Sequence, residues 1–135
     1  MCNYWTVDRM TNEVPNDLKY TNTHEWVKIK GDIARVGITD HAQSELTDIV
    51  FTELPDAGKS VKKGDELCVV ESVKSVSEIY TPLSGTIHKV NETLEDSPET
   101  INSAPYEDGW LVDIKFSDAD EVKSLLDADA YKKLL

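Results

Sequence analysis

Residues 67–80 read LCVVESVKSVSEIY: a run rich in valine, a polar break holding Lys74, and a second run of the same kind. Two strand-like runs this close together, joined by a short polar break, predict an antiparallel hairpin. Gly64 stands ten positions before Lys74 and Gly85 eleven after it, and each lies in a turn-like stretch, VKKGDE and LSGT. The spacing therefore predicts two strands of similar length running from turn to lysine and back. Lys74 is placed at or beside the hairpin tip, projecting into solvent. The apolar residues on both faces of LCVVE predict burial on both sides, as in a sandwich.

The same grammar extends along the chain. EWVKIK (25–30) sets Val27 and Ile29 against Lys28 and Lys30, the period of a half-buried strand. Gly31 and Asp32 signal a hairpin turn, and IARVGI (33–38) is the return strand. Asp40 followed by Gln43 fits a capping box, which predicts a short helix to about Leu46. IVFTEL (49–54), TIHKV (86–90) and WLVDIKF (110–116) are further strands. Beyond them the period becomes helical, with Val122, Leu125 and Leu126 in phase; Ser117 and Asp127 are the expected caps of two short helices. Residues 1–17 lack periodicity and read as a flexible extension before a single domain, 18–135.

Charge narrows the partners. With 14 basic and 26 acidic residues the net charge is −12. Phosphate backbones and anionic membranes repel such a chain, so nucleic acid and membrane partners are not expected. Such a charge serves plain solubility, or docking on more basic proteins. No stretch is long and apolar enough for a membrane span, and the N-terminus lacks the pattern of a secretory signal. A cytosolic bacterial protein, or a mature mitochondrial matrix protein if the source is eukaryotic, is the expectation. The two cysteines, Cys2 and Cys68, form no CxxC, and Cys68 reads as a small core residue. His24, His41 and His88 lack metal-ligand spacing, so no metal is expected. Trp26 and Trp110 read as core anchors.

An exposed lysine at a turn is commonly no more than a solvated edge residue. As a catalyst it is poor, because an exposed amine keeps its proton at neutral pH. As an attachment point it is well placed: a modifying enzyme must select one lysine among many, and a rigid protruding turn presents it. Biotin and lipoate are the swinging groups carried on lysine. Biotin carriers flank the lysine with methionines, whereas here the neighbours are Val73 and Ser75. That points away from biotin.

The chain as a whole resembles the H proteins of the glycine cleavage system, over about Leu18 to Leu135. The resemblance rests on THEW (23–26), VGITDHAQ (36–43), DIVFTELP (48–55), VESVK (70–74), PLSG (82–85), VNETLEDSPETIN (90–102), DGWL (108–111) and LLDADAY (125–131), in one order. It implies a mainly β, barrel-sandwich hybrid fold of the lipoyl/biotinyl-carrier type with short C-terminal helices. It implies a non-enzymatic carrier with lipoate in amide linkage on Lys74. The implied partners are glycine decarboxylase (P protein), aminomethyltransferase (T protein), dihydrolipoyl dehydrogenase (L protein) and a lipoate ligase or octanoyltransferase. The family's cleft for the loaded arm maps to Glu25, Thr23 and Glu78, where relatives often carry aspartate at the last position. Glu71, three residues before the lysine, is a candidate for recognition by the lipoylating enzyme, or a solvated strand-end acid. A lipoyl domain of a 2-oxo acid dehydrogenase and a lipoyl relay protein are the alternatives. The former usually precedes a Pro/Ala-rich linker, which this chain lacks.

Overall fold

The computed structural model describes residues 14–135, so part of the predicted extension 1–17, and Cys2 with it, lies outside the described residues. Among these residues nine strands form two antiparallel sheets. The larger has six, in the order β1 (Lys19–Tyr20), β2 (Glu25–Lys30), β3 (Ile33–Ile38), β9 (Val112–Phe116), β8 (Gly85–Val90) and β5 (Ser60–Val61). The smaller is β4 (Ile49–Glu53), β6 (Glu66–Ser72) and β7 (Val76–Tyr80). Val27, Val36, Ile38, Ile87, Val112 and Ile114 of the first sheet pack with Ile49, Leu67, Val70 and Ile79 of the second in one buried cluster. The result is the expected mainly β, sandwich-like carrier fold. Among the described residues five short helices decorate it: α1 (Asp40–Leu46), α2 (Thr93–Asp96), α3 (Thr100–Ser103), α4 (Ala119–Lys123) and α5 (Ala128–Lys132).

A second cluster explains the C-terminal helices. Tyr131 of α5 stacks on Tyr20, with ring centroids 4.7 Å apart, and Leu18, Trp26 and Ala128 close around them. Tyr20 and Leu126 exchange two backbone hydrogen bonds of 2.8 Å. Both faces at the start of β2 are thus covered, Trp26 by this cluster and Val27 by the sandwich core. Glu25, Trp26 and Val27 are all buried while Lys28, Ile29 and Lys30 are all exposed, in place of the alternation the sequence suggested.

Local chemistry shifts several boundaries. Thr39 caps α1, its hydroxyl accepting from the Ala42 N–H, and Gln43 donates to the Asp40 carboxylate at 2.7 Å. Asp118 caps α4 in place of Ser117, whereas Asp127 caps α5 as expected. Gly64 is a true turn glycine at φ 92°, but Gly85 opens β8, where an added Cβ would lie 2.2 Å from the Lys115 carbonyl oxygen. The consecutive burial of Leu67 and Cys68 follows from an irregular register between Glu66 and Cys68; Val69, on the opposite face, is only half-buried. Helices α2 and α3, within VNETLEDSPETIN, carry no strong apolar period and place Leu94 and Ile101 in the core.

Candidate functional site

Lys74 lies at the tip of the β6–β7 hairpin, exposed, between exposed Val73 and Ser75. The turn is clamped by Ser72. Its backbone N–H donates to the Ser75 carbonyl at 2.8 Å, and its hydroxyl accepts from the backbone N–H of Lys74 (3.2 Å) and of Ser75 (3.1 Å). The Val73 N–H donates to the Asp48 carbonyl at 3.0 Å, tying the tip to the segment between α1 and β4. The Lys74 ammonium makes one long contact, 3.4 Å to the Glu45 carbonyl. The backbone of the tip is therefore held while the amine stays accessible.

From the tip, β7 leads outward-facing residues away from the lysine in steps of two. Val76, Glu78 and Tyr80 are exposed, whereas Ile79 points into the core. Tyr80 then lines a cleft of about 350 Å³ with Thr21, Thr23, Glu25, Lys63 and Pro82. Glu25 is its chemical centre. The residue is 2% exposed, and its carboxylate accepts from the Thr21 hydroxyl at 2.6 Å and the Thr23 hydroxyl at 2.5 Å, with Tyr80 lining the same cleft. Burial pushes its pKa above the usual carboxylate range, and the hydrogen bonds from Thr21 and Thr23 oppose that shift. No side-chain nitrogen or oxygen among the described residues is both buried and unpartnered, so the carboxylate is a satisfied group at a cleft wall.

Of the residues singled out in the sequence, Glu25 and Thr23 are in direct contact and share this cleft. Glu78 does not line it. It sits near Glu66 on the outward face of the sheet, and the proximity of its carboxyl is the chief cause that pushes the Glu66 pKa up. Glu71 is half-buried at the end of β6, paired with Phe51 of β4 and Val76 of β7. The sequence reading missed Tyr80, Lys63 and Pro82. Only the strand alternation of β7 pointed to Tyr80, and nothing in linear spacing pointed to the other two.

The histidines also come out differently. His24 and His41, seventeen positions apart, meet with ring centroids 4.6 Å apart. The His24 Nδ1 also hydrogen-bonds the Tyr131 hydroxyl at 2.7 Å, and that hydroxyl hydrogen-bonds Thr39 at 2.7 Å. Burial, and then the His41 charge, lower the His24 pKa. Among the described residues no group of three or more His, Cys, Asp or Glu side chains is arranged to hold a metal ion. Cys68 is buried, and burial raises its thiol pKa well above the ordinary value, as befits an inert core residue. No helix among the described residues is long and apolar enough to cross a membrane.

The glycine cleavage H-protein family matches residues 18–135. A glycine cleavage system H protein of Endomicrobium trichonymphae is 58% identical over 122 residues, 90% of this chain and 98% of that one. One from Alteromonas mediterranea is 56% identical over 122 residues, covering 90% and 95%. The crystal structure of a glycine cleavage system H protein from Mycobacterium marinum superposes with a TM-score of 0.79 at 39% identity, covering 89% of this chain and 97% of that one.

Proposed function

The chain belongs to the glycine cleavage H-protein family, and from that membership we propose that Lys74 is the residue on which it carries lipoate. The protein is a lipoyl-carrying shuttle of the glycine cleavage system, a carrier and not a catalyst. One observation carries the assignment to Lys74: a clamped tip with an accessible amine, from which β7 runs straight to the Glu25 cleft. Six residues of strand span about 20 Å and an extended lipoyl-lysine roughly 15 Å, so an arm laid along β7 covers about three-quarters of the distance from the tip to Tyr80 at the cleft.

Bound lipoate supplies a disulfide that takes up the aminomethyl group of glycine and ends as a dithiol. The chain's own residues do the rest. The Ser72 clamp presents the amine to a lipoate ligase or octanoyltransferase, with Glu71 as a recognition residue. Glu25 and Thr23 receive the cationic cargo, and Glu78 flanks the path along β7. The arm visits glycine decarboxylase, aminomethyltransferase and dihydrolipoyl dehydrogenase in turn. The family match extends through the C-terminal helices, which weighs against a lipoyl domain of a 2-oxo acid dehydrogenase.

Intact mass after incubation with lipoate, ATP and a lipoate ligase tests the attachment site. A gain of one lipoyl group is expected, and Lys74→Arg, which keeps the charge, should abolish it. A gain that persists in the arginine variant sinks the assignment.

A further inference from the structure

Five of the eight exposed large hydrophobic side chains among the described residues lie on the three-stranded sheet or its tip: Val50, Phe51, Val73, Val76 and Tyr80. Their arrangement is ordered by register. Phe51, Glu71 and Val76 form one row across β4, β6 and β7, and Glu53, Val69 and Glu78 form the next. Cross-strand partners share a face, so both rows point outward. Phe51 is 49% exposed and Val76 63%, beside Val73 at 68% on the tip itself. The inner row between them, Thr52, Val70 and Ser77, faces the core. The outer face is thus an apolar strip that begins at Lys74, with Glu53, Glu66, Glu71 and Glu78 set through and around it.

We propose that this face is the docking surface for the enzyme that acylates Lys74, and that the complementary patch on that enzyme is apolar with a basic surround. The inference rests on the reading of Lys74 as the attachment site. Reach selects the occupant. A bare lysine amine lies only about 6 Å from its own Cα, so an enzyme that acylates it must cover the residues around the tip. Enzymes that act on the far end of an attached arm have no such obligation. Charge selects the rim, because four carboxylates in one field favour lysine and arginine opposite and repel a second copy of the same acidic face. The hydrophobic strip supplies the area that a charged rim alone lacks.

The test uses the full chain with a lipoate ligase, ATP and lipoate, and reads KM and kcat for the protein acceptor by intact mass. Val76→Ser and Phe51→Ser should each raise KM about tenfold with kcat nearly unchanged. Glu53→Lys should raise KM severalfold and reduce its dependence on salt. Calorimetric titration of the ligase with Lys74→Arg, which binds without turnover, should lose affinity in parallel when Val76→Ser is added. A wild-type chain that gains no lipoyl mass overturns the reading of Lys74 and this docking face with it. A wild-type chain that is lipoylated, with KM within twofold in all three variants, overturns the docking face alone. So does a defect confined to reoxidation by dihydrolipoyl dehydrogenase, which assigns the strip to that partner. Concentration-dependent dimerisation abolished by the variants, with lipoylation unchanged, assigns it to a second copy and overturns the proposal equally.

Discussion

Glu25→Gln should make the loaded protein lose its cargo faster. An amine one carbon from a thioether sulfur is labile because its neutral lone pair expels the thiolate, after which water yields formaldehyde and ammonia. A protonated amine has no lone pair to donate. The cleft wall offers a carboxylate with about four acceptor positions, of which the Thr21 and Thr23 hydroxyls occupy two, both on one oxygen. The other oxygen is left to accept from an incoming ammonium. A single charge-assisted hydrogen bond contributes about 1.5–3 kcal/mol, which corresponds to roughly one to two pKa units on the amine. Each unit lowers the neutral fraction tenfold, so removing the charge should speed release about ten- to a hundredfold. The assay loads lipoylated protein with glycine and glycine decarboxylase, removes the decarboxylase, and follows formaldehyde at neutral pH. The pH profile adds a second arm. Burial already raises the Glu25 pKa, so the wild-type advantage should fade as pH falls through that raised value and the carboxyl takes up a proton. Equal release rates at neutral pH refute the reasoning.

Three further outcomes follow from the fold. His24 titrates below its ordinary 6.5, so its neutral form contributes stability that is present above pH 6.5 and lost as pH falls from there toward the folded value; urea melts at pH 7.5 and 5.5 should show this loss reduced in His24→Asn, which tolerates the φ of 70° at that position. Gly85→Ala forces a Cβ to within 2.2 Å of the Lys115 carbonyl oxygen and 2.8 Å of the Phe116 Cα, so β8 and β9 must separate, at a cost of about 3 kcal/mol or more by urea denaturation; an unchanged midpoint refutes the close approach. Deleting residues 1–17 should lower the melting temperature, because it removes Val14 from the Tyr20 cluster and the Pro15 carbonyl that accepts the Tyr20 hydroxyl at 2.6 Å; an unchanged melting temperature refutes that contribution.

The hairpin that presents Lys74 was legible because everything that makes it is local. Alternation, the polar break and a strand on each side lie within fourteen residues, and the turn is closed by Ser72 acting on its own neighbours. The caps were read with errors of one residue, since Thr39, Asp40, Ser117 and Asp118 are all competent and only the observed backbone chooses among them. Gly85 was misread for a related reason. A glycine marks either a turn or a close backbone approach, and only the position of β9 distinguishes the two.

The cleft was not legible from spacing, because it is assembled from ends of elements that meet only in the folded chain. Glu25 begins β2, Tyr80 ends β7, and Lys63 belongs to the turn before β6. The buried acid became recognisable through the resemblance in THEW, not through any physical signal, since a glutamate at the head of a strand usually faces water. What satisfies it here is the pair of threonines two and four residues before it, in a cleft whose other wall is Tyr80 of β7. That arrangement ties the cleft to β7, the strand that also carries the path from Lys74. Under the proposed function, a change at Tyr80 that shifts the edge of β7 should therefore alter both the cleft and the surface along which the arm would lie. The tip and the cleft are two ends of one strand, and this is why a hairpin readable from fourteen residues can serve a site that no fourteen residues encode.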